Sequence, residues 1–175
     1  MNAILPEAIV VRMLEPAPDG FDANRQAKRK LYRYVIQDGP IRDPFLLRQA
    51  WRVRTTLDAE AMAAAAAPLV GTHDFRCFET EWPNRASSVR TVTRCHVARL
   101  GHLLTVDVEA NGFLYNMVRS IAGTLVAAGR GRWAPADIAR IVAEGDRAAA
   151  GPTAPARGLF LVRVEYDAAP APMEG

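Results

Sequence analysis

The most constraining feature of this sequence is a 16-residue segment, 113–128, whose apolar residues recur every fourth position. This spacing is typical of one face of a helix. The stripe consists of Phe113, Met117, Ile121 and Leu125. Because a helix this apolar must be covered by other apolar surface, the segment predicts a central helix buried against a sheet or other helices.

The remaining patterns predict an α+β fold. Alternating side chains predict strands over 28–37, 89–99, 103–110 and 159–166. Asp58 is a suitable N-cap for a helix over 59–70, Gly129 is suited to the C′ position that follows the apolar helix, and Pro135 suits the first turn of a helix over 135–144. Segment 71–78 is predicted to be a compact turn. We therefore expect an antiparallel or mixed sheet with helices packed on one face.

Composition limits the function classes. The chain has 175 residues, half of them hydrophobic, and we expect one domain over 1–166 with a disordered tail over 167–175. Two cysteines are too few for a disulfide framework and lack metal-ligand spacing, so we expect no metal and a cytoplasmic location. No segment has the length and apolarity of a membrane span, so no membrane partner is expected.

A basic and aromatic cluster at 28–34, with the sequence KRKLYRY, is the first candidate for function. Cations neutralise phosphates, and an aromatic ring can stack on an unpaired base, so the pattern suits nucleic acid. The alternative is an edge strand whose charges are solvated and whose tyrosines are half-buried.

Arg119 is the second candidate, because it is the one charged residue of the apolar helix. Burying an unpaired cation is costly, so Arg119 must either be paired or line a cleft. The alternative is a side chain that extends from the helix edge to water. A third candidate is the Pro- and Gly-rich loop 151–158, whose one charged residue is Arg157. Such loops often line sites, although most are only connections.

An ordered series of motifs resembles the tRNA pseudouridine synthase A family. It runs through NAILPEAIVVR (2–12), FDANRQAKRKLYRYVI (21–36), MAAAAAPLVGTHDFRCF (62–78), ANGFLYNMVRSIAGTLVAAG (110–129) and DRAAAGPTAPARGLFLVRVEY (146–166). The resemblance covers nearly the whole chain. It implies isomerisation of uridine to pseudouridine in the tRNA anticodon stem-loop, with the pseudouridine synthase fold and without a metal or organic cofactor.

The resemblance also implies roles for individual residues. Tyr32 matches the tyrosine that packs on the target base, Arg119 matches the basic residue that pairs with the catalytic aspartate, and Leu159 matches a pocket-lining position. Candidates for RNA contact are Arg25, Lys28, Lys30, Arg33, Asn111 and Arg157.

The departure from the family concerns the nucleophile. The family's aspartate lies in a Gly-Arg-Thr-Asp-Ala-Gly motif of its N-terminal half, and this sequence contains no such motif; Asp22, Asp74 and Asp107 stand in other contexts. We therefore expect a C-terminal half that is inactive alone, with tRNA and a missing N-terminal half as partners. The resemblance also allows a second copy in a homodimer. The alternatives are a non-catalytic RNA-binding module and a subunit that complements a separate N-terminal half.

Overall fold

The computed structural model describes residues 1–80 and 87–167. The predicted disordered tail therefore lies outside the described residues, apart from Asp167. The strands are β1 (Arg29–Gln37), β2 (Trp51–Arg52), β3 (Gly71–Asp74), β4 (Val89–Leu100), β5 (Leu103–Ala110) and β6 (Leu159–Glu165). The helices are α1 (Ala59–Ala66), α2 (Met117–Gly129) and α3 (Pro135–Glu144).

One mixed sheet contains all six of these strands. Its order is β2-β1-β5-β4-β3, and β6 pairs with the other half of the β1 edge that β2 occupies. β1 is antiparallel to β5 and β6 and parallel to β2, and β4 and β5 form the predicted hairpin. The predicted α+β fold with a mixed sheet is confirmed.

The core lies between this sheet and the helices. Tyr34 and Ile36 of β1 and Val106 of β5 are fully buried, and they belong to one cluster with the α2 stripe residues Ile121 and Leu125. Fully burying a large apolar side chain contributes about 1.5–3 kcal/mol each. The predicted burial of the apolar helix is therefore observed. Within the described residues, no helix combines the length and apolarity that crossing a bilayer requires.

The predicted start of the central helix was wrong. α2 begins at Met117, because Asn116 has a left-handed backbone (φ 59°, ψ 7°) that a right-handed helix cannot include. Phe113 therefore leaves the helical stripe, and its ring packs edge-on against Tyr32 with centroids 5.0 Å apart. At the other end, Gly129 is the last helical residue rather than the C′ residue.

Two further local predictions were wrong. Gly71–Asp74 is a strand paired with β4 rather than part of a turn, and β2 was not predicted at all. α1 ends at Ala66, and Ala67–Leu69 forms a 3-10 turn. Pro68 explains the ending, because its ring clashes with the carbonyl four residues earlier in an α-helix. The missed strands are short, and long-range pairing rather than local pattern defines them.

Helix α2 and the loop 151–158 touch backbone to backbone. A Cβ atom built on Gly123 would lie 1.8 Å from the carbonyl oxygen of Pro152, and one built on Gly151 would lie 2.7 Å from the backbone of Thr124. The hydroxyl of Thr124 accepts a hydrogen bond of 2.9 Å from the N–H of Gly151. Both positions therefore require glycine, because the backbones of the loop and of α2 lie too close together for a side chain. This contact packs the loop against the helix that carries Arg119.

This contact predicts the effect of Gly123→Ala. In an ordinary helix interior the change stabilises by about 1 kcal/mol, but here the new methyl group would overlap a carbonyl oxygen. We expect destabilisation of at least about 2 kcal/mol, measured as the free energy of unfolding in urea. Gly112→Ala is the control, because its Cβ would first meet the flexible Arg90 side chain at 3.4 Å. A more stable Gly123→Ala protein would contradict the close packing.

Candidate active site

A cleft of about 890 Å³ opens where β1, the 111–116 segment and the start of α2 meet residues 24–27. Six of the nine sequence-predicted site residues line it: Arg25, Lys30, Tyr32, Asn111, Arg119 and Leu159. These residues are up to 134 positions apart in the chain, and the sheet brings them together. A cleft of this volume can hold a nucleoside-sized ligand, for which pockets of roughly 300–1,000 Å³ are usual.

Tyr32 and Leu159 contribute to the apolar part of the cleft, together with other apolar lining residues such as Phe113 and Leu114. The side chains of Tyr32 and Leu159 are partly buried and pack against the core cluster. Leu159 lies on β6 opposite Tyr34, and Tyr32 lies two residues before Tyr34 on the same face of β1. The ring of Phe113 holds the Tyr32 ring edge-on, at an interplanar angle of 82°. This arrangement keeps one aromatic ring oriented toward the cleft.

Arg119 is the central cation of the cleft. Its Nε donates to the carbonyl oxygen of Ala154, and its Nη1 donates to Oδ1 of Asn116, both at 2.7 Å. Both acceptors are neutral, and no carboxylate within residues 1–80 or 87–167 forms an ion pair with it. The guanidinium is thus held in a fixed orientation while its charge is not neutralised locally. An anion entering the cleft would meet a preorganised cation.

Asn116 positions this cation. Its Oδ1 accepts from Arg119, and its Nδ2 donates to Oγ1 of Thr80 at 2.7 Å. Its left-handed backbone is the one positive-φ conformation among the described non-glycine residues. Strained residues of this kind persist where surrounding contacts determine them and often occur at functional sites. Asn116 is a site residue that the sequence interpretation missed, although its position three residues before Arg119 was a usable signal.

The other three predicted RNA contacts lie outside the cleft. Lys28 pairs with Asp167 at 2.8 Å. Arg33 lies on the opposite face of β1, where two hydrogen bonds of 2.7 Å join it to Asp107. These bonds raise the pKa of Arg33 and lower that of Asp107. The side chain of Arg157 is exposed. RNA contact by these three residues stays a prediction.

Tyr34, the second tyrosine of the cluster, has a structural role. It is fully buried, and its hydroxyl lies 2.7 Å from the carbonyl oxygen of Pro155 and 3.1 Å from that of Arg157. Burial raises the pKa of this phenol well above its ordinary value, so Tyr34 is a neutral donor. The contacts of its hydroxyl hold the loop 151–158 against the centre of the sheet.

Carboxylates are scarce around the cleft. Among the described residues that line it, the one carboxylate belongs to Glu79, which accepts from Oγ of Ser88 at 2.9 Å. Asp74 pairs with Arg76, and Asp107 pairs with Arg33. Asp22 accepts hydrogen bonds from nearby backbone N–H groups. None of the three aspartates considered in the sequence lines the cleft.

The strained backbone of Asn116 yields a stability prediction. Asn116→Ala keeps a side chain in the left-handed region, whereas Asn116→Gly relieves the backbone cost of about 1–2 kcal/mol. We expect Asn116→Ala to be less stable than Asn116→Gly by about 1 kcal/mol in urea unfolding. Equal stabilities, or a more stable alanine variant, would contradict the left-handed conformation.

The family model and the individual relatives that this chain matches have the same description. A family model described as tRNA pseudouridine synthase matches residues 65–167. Proteins named tRNA pseudouridine synthase A are similar over 95% of this chain: that of Moorella thermoacetica is 47% identical over 167 residues, and that of Bacillus licheniformis is 45% identical over 167. The one from Thermoanaerobacter sp. (strain X514) is 38% identical over 166 residues. The matched part is 68% of each relative's length.

Proposed function

The chain belongs to the tRNA pseudouridine synthase A family, and we propose that its cleft isomerises uridine to pseudouridine in the anticodon stem-loop of tRNA. The observation that carries this proposal is Arg119, a cation oriented by two neutral acceptors in a cleft that also contains Tyr32. A non-catalytic RNA-binding module has no need of such a cation, and the relatives are named as synthases.

The proposed chemistry uses the cleft as follows. The target nucleotide leaves its stack and enters the cleft, where its base packs on the ring of Tyr32 and against Leu159. The C1′–N1 glycosidic bond breaks, a C1′–C5 bond forms, the proton on C5 leaves to solvent, and N1 takes up a proton from solvent. Arg119 pairs with the carboxylate nucleophile and keeps it ionised, because an adjacent cation lowers a carboxyl pKa.

We propose that the nucleophile comes from outside the residues described. The cleft contains the expected cation, whereas Glu79 is the one carboxylate among its described lining residues. The nucleophile would be the aspartate of a Gly-Arg-Thr-Asp-Ala-Gly segment in an N-terminal half, and the sequence given would be inactive without it. Edge strand β6 is a candidate docking place for that half, because its residues Leu161 and Val162 are each about half exposed (51% and 50%).

Family membership supports three further proposals. Residues 1–166 act as one domain, the protein works in the cytoplasm, and two copies assemble as a homodimer. The shared core cluster from β1 to α3 supports the first of these. Sedimentation equilibrium of the chain, with and without an N-terminal half, measures the assembly.

Catalysis is tested by the release of tritium from tRNA labelled at C5 of uridine. We expect no release from the chain alone and release when a polypeptide with the Gly-Arg-Thr-Asp-Ala-Gly segment is added. Arg119→Lys should slow the complemented reaction by about 10²-fold, because a lysine cannot make both bonds of the guanidinium. Arg140→Gln is the control, since Arg140 pairs with Glu144 on an exposed helix face. Release by the chain alone would overturn the proposed source of the nucleophile.

RNA contact is tested by the salt dependence of tRNA binding. Lys30 lines the cleft, so Lys30→Gln should weaken binding and reduce the slope of log K against log salt by about 1. Arg33→Gln removes an equal charge from the opposite face of β1, where the Arg33 side chain already pairs with Asp107. We expect a smaller slope change from Arg33→Gln. An unchanged slope for Lys30→Gln would exclude a phosphate contact by this residue.

A further inference from the structure

We infer that Arg147 is a positioning residue for Arg119. It acts through the loop 151–155 and touches neither substrate nor the reacting atoms. The effect on catalysis rests on the proposed function, whereas the effect on the geometry of Arg119 does not.

Arg147 holds the loop at two points. Its Nη1 donates to the carbonyl oxygen of Gly151 at 2.9 Å, and its Nη2 donates to Oγ1 of Thr153 at 3.0 Å. Its Nε is buried and has no hydrogen-bond partner among the described residues. A buried N–H without a partner costs free energy, so this arginine is a poor choice for stability alone.

The same loop holds Arg119. The N–H of Ala154 donates to the carbonyl oxygen of Arg119 at 3.1 Å, and the Nε of Arg119 donates back to the carbonyl oxygen of Ala154 at 2.7 Å. Oγ1 of Thr153, which accepts from Arg147, also lies 3.3 Å from Oγ of Ser120, the residue after Arg119. Hydrogen bonds to the neighbouring loop residues Thr153 and Ala154 therefore link one arginine to the other.

Thr124 bonds the N–H of Gly151 and Tyr34 bonds the carbonyl oxygen of Pro155, so both ends of segment 151–155 are held independently of Arg147. Residues 151–155 have no regular secondary structure. Gly123 and Gly151 make the packing on α2 so close that the loop cannot move inward. Arg147 bonds the loop on both sides of Pro152, between these two ends, so its loss would let the middle of the segment move outward. The carbonyl of Ala154 would then shift, and a misplacement of about 1 Å in an active site can cost about 10²-fold in rate.

The first test follows the Nε–H signal of Arg119 by NMR in the 175-residue chain labelled with ¹⁵N-arginine. The signal is assigned by its loss in Arg119→Lys. In Arg147→Gln we expect the exchange of this proton with water to accelerate at least tenfold, because its bond to Ala154 loosens. Arg147→Lys, which can keep one of the two loop bonds, should give an intermediate rate, and Arg140→Gln should give the wild-type rate.

The second test separates rate from binding in the chain complemented with the aspartate-bearing segment. Arg147→Gln should lower the single-turnover rate of tritium release at least tenfold and leave the Kd for tRNA within twofold. A purely structural role would change stability without this split or partial rescue by Arg147→Lys. If Arg147→Gln does not fold, Thr153→Val replaces it, since it removes the hydroxyl that Arg147 and Ser120 share.

The outcomes distinguish the positioning role of Arg147 from the proposed function. Unchanged exchange of the Arg119 Nε–H in a folded Arg147→Gln or Thr153→Val protein overturns the positioning role, whatever the activity. If the wild-type mixture releases no tritium, the proposed function fails, and the exchange rate of the Arg119 signal alone decides the role of Arg147.

Discussion

The backbone contact between α2 and the loop 151–158 is the constraint on which the candidate site depends. Gly123 and Gly151 allow helix and loop to approach more closely than any side chain would permit. Only at that distance can the carbonyl of Ala154 accept from the guanidinium of Arg119. The loop also leads directly into β6, so the contact that orients the cation also places Leu159 in the cleft.

Cations outnumber carboxylates in the cleft, where Glu79 is the one carboxylate among the described lining residues. The other arginines that form strong pairs do so away from it, as Arg33 does with Asp107 and Arg99 with Asp38. Arg119 has neutral acceptors instead, and Lys30 and Arg25 line the same cleft. A cation held by neutral groups keeps its field for an incoming anion, whether a phosphate or a carboxylate. This arrangement suits a site that receives both RNA and a nucleophile from elsewhere.

Much of the architecture was predictable because it follows from local patterns. The alternation over β1, β4, β5 and β6 and the stripe of α2 predicted the mixed sheet and its covering helix. Arg119 was recognisable as the one charged residue of an apolar helical segment. Phe113 and Asn116 were not predicted correctly, because the residues before α2 have helical apolar spacing. Tertiary contacts with Tyr32 and Thr80 hold them in another conformation.

The sequence by itself determined the fold class, the family and the presence of a cation that needs a partner. Each of these depends on residue types and on their spacing and order along the chain. The tertiary structure decided which basic residues share the cleft: β1 alternates, so Lys30 enters it while Arg33 turns to Asp107 on the other face. It also linked Arg147 to Arg119 through the loop that both of them bond, since a hydrogen bond between Arg119 and a residue 35 positions away leaves no periodic trace in a sequence.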